Sequence, residues 1–205
     1  MPQPTAGPIV LFSDIEVAVR DTLQAWVPFY LAEIDEQADP PRPRGTTGAP
    51  RAYDVAHEDS QRWLEATPPS LLVVCRGTVD APQRHGKDAA YGAWWQVNIA
   101  VTAGGATEAG TRDLAGRHAG AIYAVITQQP DMGGLCEDAR WMGAQADPAD
   151  RNPDVLVAEI EAHVYVPHVI ATRGPLIPRA SDLPDLQALP TVTGSQVTTA
   201  PTTGT

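Results

Sequence analysis

Few residues of this chain have types and spacing suited to chemistry. In "VAEIEAHVYV", Glu159, Glu161 and His163 alternate, so a strand would set two carboxylates and an imidazole on one face, the groups that general acid–base catalysis uses. A solvated strand face has the same pattern, and an enzyme built on the trio would also need an apolar pocket around its carboxylates. Gly86-Lys87 resembles the end of a phosphate-binding loop, but Asp88 stands where Ser or Thr should hold magnesium, and Ala81 where the first Gly belongs. No G-x-S-x-G elbow occurs. Cys75 lies inside the apolar run "SLLVVCRGT", which disfavours a thiolate, and neither it nor Cys136 belongs to a C-x-x-C pair. Both read as buried free thiols of a reducing compartment. His163 and His168 flank Pro167, while His57 and His118 belong to other segments, so no zinc set forms. The sequence thus assigns no catalytic, cofactor-binding or metal-binding residue.

Composition narrows the classes further. The 205 residues suffice for one ordinary domain with additional segments, and 14 Lys and Arg against 25 Asp and Glu give a net charge of -11. That balance argues against a protein that grips phosphates, although it suits a surface past which DNA slides without sticking. The first residues, "MPQPTAGPIVLF", lack a basic leader region, and no apolar run is long enough to span a bilayer. The expectation is a soluble protein made in a cytoplasm.

The elements that would position these residues follow from periodicity. Ser13 and Glu16 have capping-box spacing and predict a helix from Ser13 to about Gln37, with an apolar stripe of Ile15, Val19, Leu23, Trp26, Tyr30 and Ile34. Pro28 should kink or split it. "DPPRPRGTTGAP" (39–50) predicts a stiff loop or extended arm, and a short helix is expected around Trp63. Residues 70–78 read as a strand. After a turn over 80–87, "AAYGAWWQVNIAVT" reads as a long strand with Tyr91, Ala93, Trp95, Val97, Ile99 and Val101 inward and Trp94, Gln96, Asn98 and Thr102 on the wetter face. The two strands form a hairpin with a basic tip of Arg84, His85 and Lys87.

A second helix, capped by Thr107 or Thr111, carries Leu114, His118, Ala121, Ile122, Val125 and Ile126 and ends near Gln129. Gly116 and Gly120 lie one turn apart on it and predict close packing on a sheet. A strand over 137–146, a loop over 147–153 and a final strand follow. The last strand buries Leu156, Ala158, Ile160, Ala162, Val164 and Val166, sets Glu159, Glu161, His163 and Tyr165 opposite, and should end at Pro167. Beyond Gly174 the Pro/Thr-rich composition is too poor in apolar residues for a core and predicts disorder in isolation. The fold class is α+β: a mainly antiparallel sheet with two helices on one face. The expected division is an arm (1–12), the domain (13–170) and a C-terminal extension (171–205).

Several stretches, "VPFYLAEIDEQ", "PPRPR", "PSLLVVCRG", "YGAWWQVNIAVTAGG", "TRDLAGRHAGAIYAVITQQP" and "VAEIEAHVYVPHV", together with the element order, resemble the tail terminator proteins of long non-contractile-tailed bacteriophages, particularly those of actinobacteria. The resemblance spans roughly residues 13–168 and rests on length, order and texture. It implies an α+β fold and a hexameric ring that caps the tail tube, stops its polymerisation and offers a surface to the head-side connector. It implies no catalytic residues and no cofactor. The expected partners are other copies of the chain, the tube protein and the connector or stopper, with genomic DNA passing through the lumen unbound and no membrane involved. The expected location is the tail–neck junction of the virion, after assembly in the host cytoplasm. Interface candidates are Arg84, His85, Lys87, Trp94, Glu159 and Glu161. The alternatives are another neck component, a small enzyme using Glu159, Glu161 and His163, and an intracellular binding adaptor.

Overall fold

The structure, a computed structural model, describes residues 5–56, 67–85, 90–149 and 152–173. The chain divides into two units, Met1–Gly174 and Pro175–Thr205. The second unit lies outside the described residues, as do the expected helix around Trp63 and Lys87; of the expected C-terminal extension only residues 171–173 are described, and they belong to the last strand rather than to a tail.

The first unit is α+β. Strands β1 (Thr5–Ile9), β2 (Ala52–Val55), β3 (Ser70–Thr78), β4 (Gln83–His85), β5 (Ala90–Gly104), β6 (Asp138–Ala149) and β7 (Asn152–Arg173) build one seven-stranded sheet. Helices α1 (Phe12–Gln37) and α2 (Glu108–Gln128) both pack against it. The longest strand, β7, pairs antiparallel with β5 on one side and with β6 and β1 on the other. β5 in turn pairs antiparallel with β3 and β4, and β2 joins β3 in parallel.

The period-2 pattern of β5 and β7 sets the core. Val97, Ile99 and Val101 of β5 meet Ala162, Ile160 and Ala158 of β7 in register, all buried, and Leu71 and Val73 of β3 continue the layer. Ile15, Val19 and Leu23 of α1 and Ile122, Val125 and Ile126 of α2 close it from above. Burial of the inward rows fixes the register, because a slip of one residue would turn these side chains to the other face.

Local chemistry corrects several expectations. α1 begins at Phe12, and Asp14 rather than Ser13 and Glu16 serves its start, accepting the Leu11 N–H at 2.8 Å. Glu16 points inward instead and bonds to β3. The buried row beyond Leu23 is Val27, Leu31 and Asp35, while Trp26 is 39% exposed and Tyr30 and Ile34 are only half-buried. A row at i+4 rotates about 40° per step around a helix. Its drift suits a helix that lies on β3 in its first half and meets α2 and the 38–51 loop in its second.

Pro28 does not split α1, which continues through it on an exposed face. β7 runs past Pro167 to Arg173 because Pro167 sits in the irregularity between the Ala93–Val166 and Tyr91–Ile170 pairs, where its missing N–H breaks no regular ladder. The expected 147–153 loop shrinks, since β6 extends to Ala149 and β7 starts at Asn152. β1, β2 and β4 were not expected. β1 draws part of the predicted N-terminal arm into the sheet beside the end of β7, and β4 turns part of the predicted 80–87 turn into paired backbone.

The 39–50 segment is a loop, but it is bound down. Thr47 donates both its N–H (2.8 Å) and its hydroxyl (2.6 Å) to the fully buried Asp35 carboxylate, which also faces Arg117 Nη1 at 3.4 Å. Arg42 pairs with Asp113, and Arg44 with Glu33 and Glu36. The Thr107 side chain caps α2 through the Gly110 N–H at 3.1 Å. Gly120 of α2 faces Ile34 of α1 rather than a sheet, a Cβ there standing 3.6 Å from Ile34 Cδ1, and Gly116 faces open space.

Candidate interface on the outer sheet face

The face of the sheet opposite the helices carries rows of residues aligned across β6, β7 and β5. Asp138, Tyr165 and Trp94 form one row, Arg140, His163 and Gln96 the next, and Glu161 and Asn98 a third. Alternation in the three long strands produces these rows, as the β5 and β7 patterns predicted.

Trp94 is the centre of the first row. Its ring lies 5.2 Å from that of Tyr165 at 46°, and the Arg140 guanidinium sits 4.2 Å above the Trp94 centroid. Arg140 is also bonded to Asp138 at 3.2 Å. The contacts hold a broad, rigid aromatic platform with its cation positioned. A cleft of about 400 Å³ opens beside it, with Asp80, Gln83, Glu137 and Asp138 around the two rings. Burial, reinforced by the nearby Glu137 carboxylate, raises the Tyr165 phenol above its ordinary pKa and keeps it neutral.

Glu159 and Glu161 lie farther along the same face. Glu161 pairs with His163 at 3.0 Å, and Glu159 accepts from Gln145 at 3.4 Å. The cleft beside them, about 300 Å³, is lined by Asn98, Gln145, Glu159 and Glu161 with only Ala144 and Ile160 as apolar side chains, so the carboxylates are not set in the apolar pocket an enzyme reading required, and it holds no Ser, Thr, Cys or Lys. A larger groove of about 700 Å³ between α1 and the 129–135 turn is lined by Asp14, Asp21 and Asp131, by Ser13, Thr22 and Gln129 and by apolar residues, without His, Cys or Lys. Among the described residues, no three His, Cys, Asp or Glu side chains come together as a metal-holding group. Burial pushes the thiol of Cys75 up to about 11 and that of Cys136 up to about 12, so neither is an activated nucleophile.

Of the predicted interface residues, the structure brings Trp94, Glu159 and Glu161 onto one face. Arg84 is exposed in β4, paired through its backbone with Tyr91, and His85 ends that strand. Sequence reasoning missed Arg140, Asp138 and Asp80. Only the β6–β7 register brings Arg140 over Trp94, and nothing in "EDARWMG" announces that register.

No protein-family model and no curated protein matches the chain. Among solved structures, it is similar to a chain of "Virion of native gene transfer agent (GTA) particle", at 14% identity and a TM-score of 0.39, over 74% of this chain and 93% of that one. Among the described residues, no helix is long and apolar enough to cross a membrane.

Proposed function

We propose that the chain is a structural virion protein, a phage tail terminator, whose outer sheet face is a contact surface in a ring that caps the tail tube and joins it to the head-side connector. The observation that carries the reading is the Arg140–Trp94–Tyr165 platform on a face that no described helix covers. Large aromatics and Arg in such a setting are the usual anchors of protein interfaces. The sequence resemblance supplies the specific assignment and the hexamer. A head-to-tail ring needs two different surfaces per copy. The platform is one, and the exposed Arg84 on the β4 hairpin marks the other, toward the tube. The net charge of -11 suits a lumen through which DNA moves without adhering. The function has no catalytic step and no cofactor.

The test is electron microscopy of lysates from a phage lacking the gene, with and without added purified protein. Overlong headless tails that the protein corrects are expected. Normal-length tails beside DNA-leaking heads would move the protein to the head side of the neck.

A further inference from the structure

The helix layer carries an open groove of its own, on the side of the sheet away from the aromatic platform. The second half of α1 packs on α2, where Asp35 meets Arg117 and Ile34 meets Gly120, whereas the first half faces the 129–135 turn across a groove of about 700 Å³. Asp14, Val17, Ala18, Asp21 and Ala25 recur every three or four residues and so share one side of α1, with Trp26 at the end of the wall. From Asp14 to Trp26 this wall is roughly 18 Å long, about three helical turns. Its small side chains let another backbone come close.

The opposite wall is fixed before anything binds. Met132, Gly133 and Gly134 have φ of 44°, 72° and 91°, and the Asp131 carbonyl holds this turn by accepting the N–H groups of Gly134 at 2.8 Å and Cys136 at 3.0 Å. The Met132 side chain is buried in the core and anchors it. A preformed groove costs a partner little ordering of the protein. At the far end Trp26 and Phe29 are both exposed and stand edge to face, their centroids 6.2 Å apart, which supplies the kind of aromatic anchor that interfaces favour. The charge of the groove is one-sided: Asp14, Asp21 and Asp131 line it, and no Lys, Arg or His does. Asp21 pairs with the adjacent Arg20, while Asp131 has no ion-pair partner among the described residues. A second copy of the chain brings the same net charge of -11, so charge complementarity selects a different, basic protein. Neither wall offers a free strand edge. An extended segment would find no backbone ladder there, whereas a helix satisfies its own backbone and needs only side-chain contacts.

We propose that this groove docks an amphipathic helix of a different, basic protein, with aliphatic side chains over Ala18 and Ala25, one of them against Trp26, and Lys or Arg side chains beside Asp21 and Asp131. The contact lies on the layer opposite the platform. It goes beyond the terminator reading and does not depend on it.

The test is fluorescence anisotropy of a labelled amphipathic peptide of Leu, Ala and Lys, about four helical turns long, titrated with the full chain. The peptide is expected to bind, and the same peptide with Glu in place of Lys is not. Asp21→Lys/Asp131→Lys should weaken binding roughly tenfold or more, and Trp26→Ala by a similar factor, whereas Glu159→Lys/Glu161→Lys, an equal change in net charge on the outer sheet face, should leave it within about twofold. All these side chains except that of Glu161 are exposed or at the surface of long elements, and circular dichroism checks that each variant is folded. Equal weakening by the two charge-reversed pairs would show unspecific attraction of a cation to an acidic chain and overturn the proposal, as would a Lys peptide that does not bind. Sedimentation velocity separates the remaining occupant: Ala25→Arg should leave the size of the wild-type particle unchanged, and its dissociation would mean that a second copy fills the groove, which would also overturn the proposal.

Discussion

The Glu16 carboxylate of α1 accepts the backbone N–H of Cys75 in β3 at 2.8 Å, and the Glu16 side chain is only 4% exposed. β2 covers β3 over Ser70–Val73 alone, so Glu16 satisfies an edge amide that no described strand reaches, next to the bulge between Cys75 and Gly77. Gly77 has φ +136, a conformation open to glycine. Glu16→Ala should leave that amide unpaired and destabilise the fold by about 1–3 kcal/mol, whereas Glu16→Gln retains the acceptor and should recover much of the loss. Urea denaturation of the two variants measures the difference, and equal losses would disprove the role.

Asp35 gives the fold an acid limit. Burial alone would raise its pKa, but the Thr47 hydroxyl and N–H, followed by Arg117 and Arg42, outweigh that and hold it below the usual carboxylate range. A depressed folded-state value contributes stability that is present above the unfolded value of about 3.9 and is lost as pH falls through the folded one. Stability should therefore drop below about pH 4, and Thr47→Val should flatten that drop while lowering stability at neutral pH. Chemical denaturation from pH 2 to 7 checks both effects.

The two cysteines act in the opposite sense. Their raised values, about 11 for Cys75 and about 12 for Cys136, mean that the folded protein retains thiol protons that an unfolded chain releases near pH 8.5. Their contribution is complete below about pH 8.5 and declines as pH rises through those folded values. Alkylation at pH 8 should proceed roughly a hundredfold more slowly than for an exposed thiol, and rates near that of free cysteine would contradict the burial.

Gly116 sits in the interior of α2 with open space where a Cβ would stand. Gly116→Ala should stabilise the helix by about 0.5–1 kcal/mol. Thermal unfolding reports the gain, and a loss of stability would mean that something occupies the space.

Trp94 separates folding from assembly. Trp94→Ala removes the Tyr165 and Arg140 contacts, each of which contributes on the order of 1 kcal/mol. The variant should stay folded while failing to correct tail length in lysates lacking the gene. Full correction by it would remove the platform from the proposed interface.

The fold was legible where one physical rule dominated. The inward rows of β5 and β7, the span of β3 and the Thr107 cap of α2 follow from burial periodicity and a single side-chain bond. Where two rules competed, the sequence misled. Glu16 has capping-box spacing, yet the bare β3 edge claims its carboxylate. Trp26 has stripe spacing, yet the drift of α1 puts Val27 inside instead. β2 has four residues and pairs in parallel with a strand to which no hairpin turn connects it, so no local signal marked it. Half of the candidate site was readable: alternation places Trp94, Glu159 and Glu161 on one face, whereas the position of Arg140 depends on a register that only tertiary pairing sets.

The strand that joins β1, β5 and β6 is also the last of the described elements in chain order. During synthesis, β3, β5 and both helices leave the ribosome before β7 exists to cover the inward row of β5. The growing chain must therefore hold Val97, Ile99 and Val101 without their final partners, and the core closes only after β7 emerges, through pairings distant in sequence. Translation that pauses or stops upstream of β7 would leave a sheet half-built, with its most apolar strand open to other nascent copies.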